Sequence, residues 1–388
     1  MSSESWEGDS LDASPPPAIA PIVKQIRSEM GDTWRQDDQL LKKFFPVEPA
    51  YYLKFCKARN ALYNDNPRFK RWKEIAATPQ STSRLYRPLT NLLNGILFHY
   101  GIPRERRLFL DTHIRRATTS SLKAVSPSIF FAGVGPEFAS TAAELPRAIY
   151  SSGISALEVA LDSEDLTGAR DRLAVHMHRI FQHQVNRRFA FGLIITQSKL
   201  TLYMFDHSGA VASEPLSYHE HPEQFCTVIA GLASDENRTG FDRSIFSDGP
   251  YTKIRTFEPM DNSLVETHYQ IEEGLFRFRS LVGRGTICFL TSALDKPRAR
   301  FVINDAWIAA EELAGKESEG SLSCHAKLQG VVAGVVQSRH FEEVRRGAHA
   351  SDLDTVLRNR RVACSPDDRK LDRVHTRIVM ETYGKNSR

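Results

Sequence analysis

Two glycines one residue apart, Gly283 and Gly285, followed by Thr286, lie between two runs that read as strands, 275–282 and 287–290. Such a turn lets backbone N–H groups come close to a phosphate, because glycine has no Cβ to hold the ligand off. Phosphate chemistry then asks for a cation nearby, but the next strand-like run, Phe301-Val302-Ile303, ends on Asn304. An amide brings no charge to neutralise phosphate, and Gly-x-Gly without a third glycine is a pattern that any hairpin can produce. Histidines offer a second chemistry. His176 and His183 are seven apart on one predicted helix face with His178 between them, and His219 and His221 follow a predicted hairpin. No local cysteine or carboxylate completes a set at zinc-ligand spacing, so these are expected as surface or core histidines. No Gly-x-Ser-x-Gly elbow is present.

The elements that must position these residues follow from hydrophobic periodicity. Ile22, Ile26 and Met30 recur every four residues up to a stop at Gly31, and Leu89, Leu92, Leu93, Ile96 and Leu97 mark one face of a helix that closes near Gly101. Strands are expected at 108–110, 129–131 and 156–161, then a helix from Thr167, a buried strand over 189–196, a hairpin through 199–217 and a helix over 222–232. The polar, turn-rich stretch 234–259 is read as a boundary. Beyond it the spacing predicts strands at 264–271, 275–282, 287–290 and 301–303, a helix over 306–313 and a strand at 331–336. The expected organisation is a disordered arm (1–21), a helical lead-in (22–83), a mixed α/β domain (84–258), a mainly antiparallel domain (259–345) and a basic C-terminal tail (346–388).

Composition bounds the function. A chain of 388 residues with 41% hydrophobic and 25% charged residues is long enough for two or three folded domains. No apolar run approaches the ~18 residues that a spanning helix needs, so no membrane partner is expected. Five scattered cysteines, odd in number and without a Cys-x-x-Cys, suit a reducing, intracellular compartment, cytoplasmic or nuclear. Acidic Glu4, Glu7 and Asp9 precede any Lys or Arg, the reverse of a secretory leader, and no secretion signal is expected. The net charge of +4 is carried wholly by residues 339–388, which are read as a solvated end. Between 50 and 72, Tyr51, Tyr52, Phe55, Tyr63, Phe69 and Trp72 alternate with Lys and Arg. That mixture can stack single-stranded nucleic acid, but core aromatics with solvated neighbours are the expected reading, and nucleic acid is the disfavoured partner.

Several blocks in order resemble the fungal-type protein kinase domain family. They are Arg187-Arg188-Phe189-Ala190-Phe191-Gly192, Phe205-Asp206-His207-Ser208-Gly209, Thr239-Gly240-Phe241-Asp242, Val282-Gly283-Arg284-Gly285-Thr286, Val302-Ile303-Asn304-Asp305-Ala306-Trp307 and Arg373-Val374-His375-Thr376-Arg377. The resemblance covers roughly residues 86–384. It implies a protein-kinase-like N-lobe, with ATP and magnesium as the cofactors of the family. On that reading Gly283, Gly285 and Thr286 stand over the phosphates, Asn304 replaces the strand-end Lys, and Glu319 resembles the helix Glu that would pair with it. An exposed Glu on a charged helix is the plain alternative for Glu319. The family continues past the segment resembled by Thr382-Tyr383-Gly384 to His-Arg-Asp and Asp-Phe-Gly motifs, which this sequence does not contain.

The helix-strand-strand-strand-helix-strand order of the earlier domain is similar to restriction-endonuclease-like folds. Their metal site needs an Asp and a Glu-x-Lys on adjoining strands; here Pro127-Ser128 and Glu158-Val159-Ala160 keep only the Glu. No metal and no catalytic residue is therefore expected. The overall expectation is a degenerate or truncated kinase-like protein that works as a non-catalytic interaction or regulatory module toward an unknown protein partner. The alternatives are the N-terminal part of an active serine/threonine-type kinase and a nucleic-acid-binding remnant.

Overall fold

The computed structural model describes residues 19–47, 62–66, 68, 70–113, 126–138, 145–234, 239–260, 263–294, 296–315, 320, 322, 325–326, 329–330, 337–346, 353–361 and 368–381. Two compact units emerge. The first comprises residues up to 183 with 190–205 and 210–239; the second comprises 184–189, 206–209 and everything from 240 onward.

The first unit opens with α1 (Ile19–Met30), β1 (Trp34–Gln36), α2 (Leu40–Phe44) and the two-residue strands β2 (Tyr63–Asn64) and β3 (Arg71–Trp72). Then come α3 (Ser83–His99), β4 (Arg107–Asp111), β5 (Ile129–Gly133), β6 (Gly153–Val159), α4 (Thr167–His183) and β7 (Phe189–Ile195). The hairpin strands β8 (Lys199–Asp206) and β9 (Gly209–Ala212), the short β10 (Leu216–Ser217) and α5 (Pro222–Leu232) complete it. The sheet runs β1-β9-β8-β7-β6-β5-β4, so β7 is central as its unbroken apolar run predicts. β6 and β7 are parallel, with Leu157 opposite Leu193, and a parallel pair needs a crossover, which α4 supplies. Gly192 lets that helix approach: a Cβ there would stand 2.8 Å from Leu173 Cδ1. Along α3, Leu85, Leu89, Leu92, Leu93 and Ile96 are buried at the spacing of one helix face.

The second unit is an antiparallel sheet in the order β11-β12-β13-β14-β15-β17-β16. Its strands are β11 (Ile245–Asp248), β12 (Tyr251–Met260), β13 (Ser263–Arg277), β14 (Ile287–Ala293), β15 (Lys296–Ala309), β16 (Ser338–Glu343) and β17 (Arg373–Glu381), with short helices α6 (Ala310–Gly315) and α7 (Val356–Arg360). Ile254, Tyr269, Ile271, Phe289, Ile303 and Val379 form its apolar core.

The chain is thus mixed α/β, and several expectations are corrected in detail. The runs 264–271 and 275–282 are not two strands: β13 continues to Arg277, and register shifts at Ile271/Glu273 and Gly274/Phe276 absorb the irregularity as bulges. Residues 306–309 are strand rather than helix, because Ala306, Trp307 and Ile308 pair with Thr376, His375 and Val374, a partner some 70 positions away that local periodicity does not reveal. Residues 245–258, assigned to the earlier domain or its boundary, form β11 and most of β12, and β12 pairs with β13 across the expected 258/259 division. The tail 346–388 contains β17, an interior strand between β15 and β16 and buried over most of its length, so this part of the tail is not solvated. The arm is outside the described residues up to 18, as is the expected strand 331–336. Among the described residues no helix is long and apolar enough to cross a membrane.

Candidate functional site

The glycine-bearing connection 278–286 joins β13 to β14. Gly283 has φ 128° and donates its N–H to the His207 carbonyl at 2.9 Å, while the Arg284 carbonyl accepts from the Trp307 N–H at 2.7 Å. Gly285 has φ 51°, and a Cβ there would lie 2.3 Å from the His207 ring. Gly285 therefore serves close packing against His207, while a Cβ on Gly283 would meet nothing within 4 Å and the Gly283 amide is already used. Thr286 accepts at its carbonyl from the Phe278 N–H. Asn304 lies on β15 opposite Cys288 and Ile378, three residues before the Trp307 that holds the connection. Its Oδ1 is buried without a hydrogen-bond partner. Glu319 lies outside the described residues. Four of the five residues singled out from sequence thus belong to the β13–β14–β15 run. As a phosphate cradle they are poorly matched: Asn304, within β15, brings no charge where an anion wants a cation.

A different constellation dominates this unit, and sequence reasoning did not single it out. His375 on β17 is bracketed by two carboxylates, Asp305 at 2.5 Å from Nε2 and Asp354 at 3.1 Å from Nδ1. Burial opposes the charge on this imidazole, and the two carboxylates override it, so His375 is held protonated well above its ordinary range. Arg377, two positions on, reaches Asp305 at 3.1 Å, Glu342 at 3.4 Å and Asp242 at 3.7 Å with no exposed surface of its own. Burial raises the cost of charge on Asp305, but Arg377 and His375 keep its carboxyl far below the usual range. Arg360 bonds Asp206 through Nε and Nη2 at 2.7 and 2.8 Å, a bidentate pair, and Arg188 stands 3.8 Å from Asp354. His207, deprived of water and close to His375 and Arg373, is pushed down to about 3 and stays neutral. Every buried charge here has an opposite neighbour, as the cost of an isolated one demands. A signal for it was present in the sequence: Arg188, Asp206, Asp242, Asp305, His375 and Arg377 all belong to the quoted blocks.

In the first unit Glu158 is buried on β6, accepts from Arg172 Nε at 2.8 Å and lies 3.1 Å from His176 Nε2. Burial raises its carboxyl, and His176 with Arg172 more than offsets this, leaving it lowered. Ser128, at the position where the metal pattern wants Asp, accepts from the Val159 N–H. His219 accepts the Trp72 N–H at Nδ1 and meets the Gln197 carbonyl through Nε2, an architectural pairing, while His183 and His221 are exposed. Trp72 and Tyr63, two of the aromatics among basic residues, are core side chains, and Tyr51, Tyr52, Phe55 and Phe69 lie outside the described residues.

No curated protein and no solved structure matches this chain. A model of the family described as fungal protein kinase matches residues 152–387, more than half of the chain, and that span contains all the blocks that build the buried ionic cluster. The chain belongs to the fungal protein kinase family.

Proposed function

We propose that this chain is a degenerate kinase-like protein that does not transfer phosphate and works as an interaction or regulatory module toward a protein partner. The observation that carries the reading is Asn304: an amide within β15 whose Oδ1 is buried without a hydrogen-bond partner stands where the resemblance wants a Lys. Phosphoryl transfer depends on positioning and on charge supplied by several groups together, and Asn304 supplies no charge at the position of the Lys. The same reading makes the first unit a degenerate relative of restriction-endonuclease-like folds, with Glu158 committed to Arg172 and His176 rather than to magnesium. Five cysteines without a Cys-x-x-Cys favour an intracellular place of action.

The test is a radiolabelled ATP assay with magnesium and generic protein substrates, on the natural chain and on Asn304→Lys. Both are expected at background, since residues that act as a unit are not rescued one at a time. Incorporation that scales with protein and survives repurification refutes the reading.

A second reading is that the chain is the N-terminal part of an active serine/threonine-type kinase, favoured by the antiparallel β13–β14–β15 run with its glycine-bearing connection. Activity from a longer protein carrying a His-Arg-Asp in frame, with silence from these 388 residues, selects it. The nucleic-acid alternative is tested by filter binding across salt, because phosphate contacts weaken steeply as salt rises.

A further inference from the structure

Within the first unit, three side chains from three elements line up by hydrogen bonds. Glu158 on β6 faces His176 Nε2 at 3.1 Å, and His176 Nδ1 faces the Tyr150 hydroxyl at 3.1 Å. Glu158 and His176 are each about 1% exposed, whereas Tyr150 keeps part of its surface open on the 3-10 turn 150–152. Order along the chain of bonds matters. A carboxylate can only accept, so the tautomer that fits carries its proton on Nε2, which leaves the Nδ1 lone pair toward the phenol. A hydroxyl facing a base that a carboxylate orients is the geometry of an activated nucleophile. Arg172 bonds Glu158 from the same helix, and His183, exposed two turns beyond His176, has its ring 5.7 Å from that of Tyr150. The nearest acid on α4, Asp171, is taken by Arg27 of α1.

We propose that Glu158, His176 and Tyr150 form a relay that makes Tyr150 a nucleophilic tyrosine, open to covalent modification by electrophilic sulfonyl and phosphoryl centres. In the reaction with a sulfonyl fluoride the bond from Tyr150 Oη to sulfur forms and the sulfur–fluorine bond breaks. Fluoride leaves, and the phenol proton passes to His176 Nδ1 and from there to water. Glu158 stabilises the imidazolium that exists in between. Tyr150 is the group that reacts; His176 and Glu158 are its base and its positioning residue. This inference does not rest on the kinase-like reading and concerns other residues.

The experiment treats the full chain with an aryl sulfonyl fluoride at neutral pH and follows modification of each tyrosine by peptide mass spectrometry. Tyr251, which is 51% exposed and therefore more open than Tyr150, is the internal reference. Tyr150 is expected to be modified at least about tenfold faster than Tyr251, because general-base assistance contributes about 100-fold or more where geometry is good and its lower exposure takes back part. His176→Gln, which keeps a polar group but no base, is expected to bring Tyr150 to or below the Tyr251 rate while Tyr251 is unchanged. Glu158→Gln is expected to fall between. Should the variants fail to fold, the wild-type ratio still decides. A Tyr150 rate no greater than that of Tyr251, or a Tyr150 rate unaffected in a folded His176→Gln protein, overturns the relay.

Discussion

His375 lies flat against Trp307, with ring centroids 4.6 Å apart and planes within 6° of parallel. The two residues are register partners on β17 and β15, so strand pairing itself sets one ring on the other. With its charge held by Asp305 and Asp354, the imidazolium presents a cation to the indole face, an arrangement that is favourable when both are desolvated. The Trp307 N–H also fixes the glycine-bearing connection through the Arg284 carbonyl, and Trp307 stands 5.3 Å from His207. A single interior site therefore ties together β15, β17 and the connection from which a phosphate cradle would have been built.

Arg377→Met removes the only charge that faces Asp305, Asp242 and Glu342 together among the described ion pairs. Leaving buried carboxylates uncompensated costs about 3–5 kcal/mol, so the urea midpoint of the second unit should fall sharply. Arg300→Met, at a pair with Glu272 that is largely exposed, should leave the midpoint close to wild type.

Stability should decline on the alkaline side. The folded state holds a raised His375, so its contribution is complete below the ordinary imidazole value of about 6.5 and is lost as pH rises through about 10. Asp305 has the opposite sign: its carboxyl is lowered, so its contribution is present above the ordinary carboxyl value and disappears as acid protonates it. Thermal melts across pH should show a fall beginning near about pH 6.5, and His375→Gln should flatten that limb while lowering the whole curve.

Gly285→Ala and Gly249→Ala should separate strain from crowding. The two glycines have φ 51° and 59°, so an alanine pays a similar left-handed cost at both, but only Gly285 has the His207 ring 2.3 Å from the new Cβ. The Gly249 change should cost about 1–2 kcal/mol, the left-handed penalty alone, and the Gly285 change clearly more in chemical denaturation.

Glu158→Ala should destabilise the first unit, because it strands a buried His176 and unties Arg172. Calorimetric titration with magnesium or manganese should show no saturable site that this substitution removes. A site lost in Glu158→Ala would restore the metal reading of that strand.

The sequence determined the elements whose signal is local. The leucines of α3 repeat at helical spacing, Phe189–Ile195 is an unbroken apolar run that had to be a buried central strand, and the blocks around Asp206, Asp305 and His375 pointed to the family. It also determined that Asn304 offers no charge. What the tertiary structure decided depends on partners distant in the chain. Trp307 reads as the start of a helix until His375 is laid beside it, and β17 reads as a basic tail until Asp305, Glu342 and Asp242 surround Arg377. Side-chain charges look like solvated surface in a sequence, because burial of a charge is tolerated only when opposite charges arrive from elsewhere, and their arrival is a property of the fold. The relay from Glu158 through His176 to Tyr150 is of the same kind: three residues from a strand, a helix and a 3-10 turn, with no motif to join them until hydrogen-bond distances do.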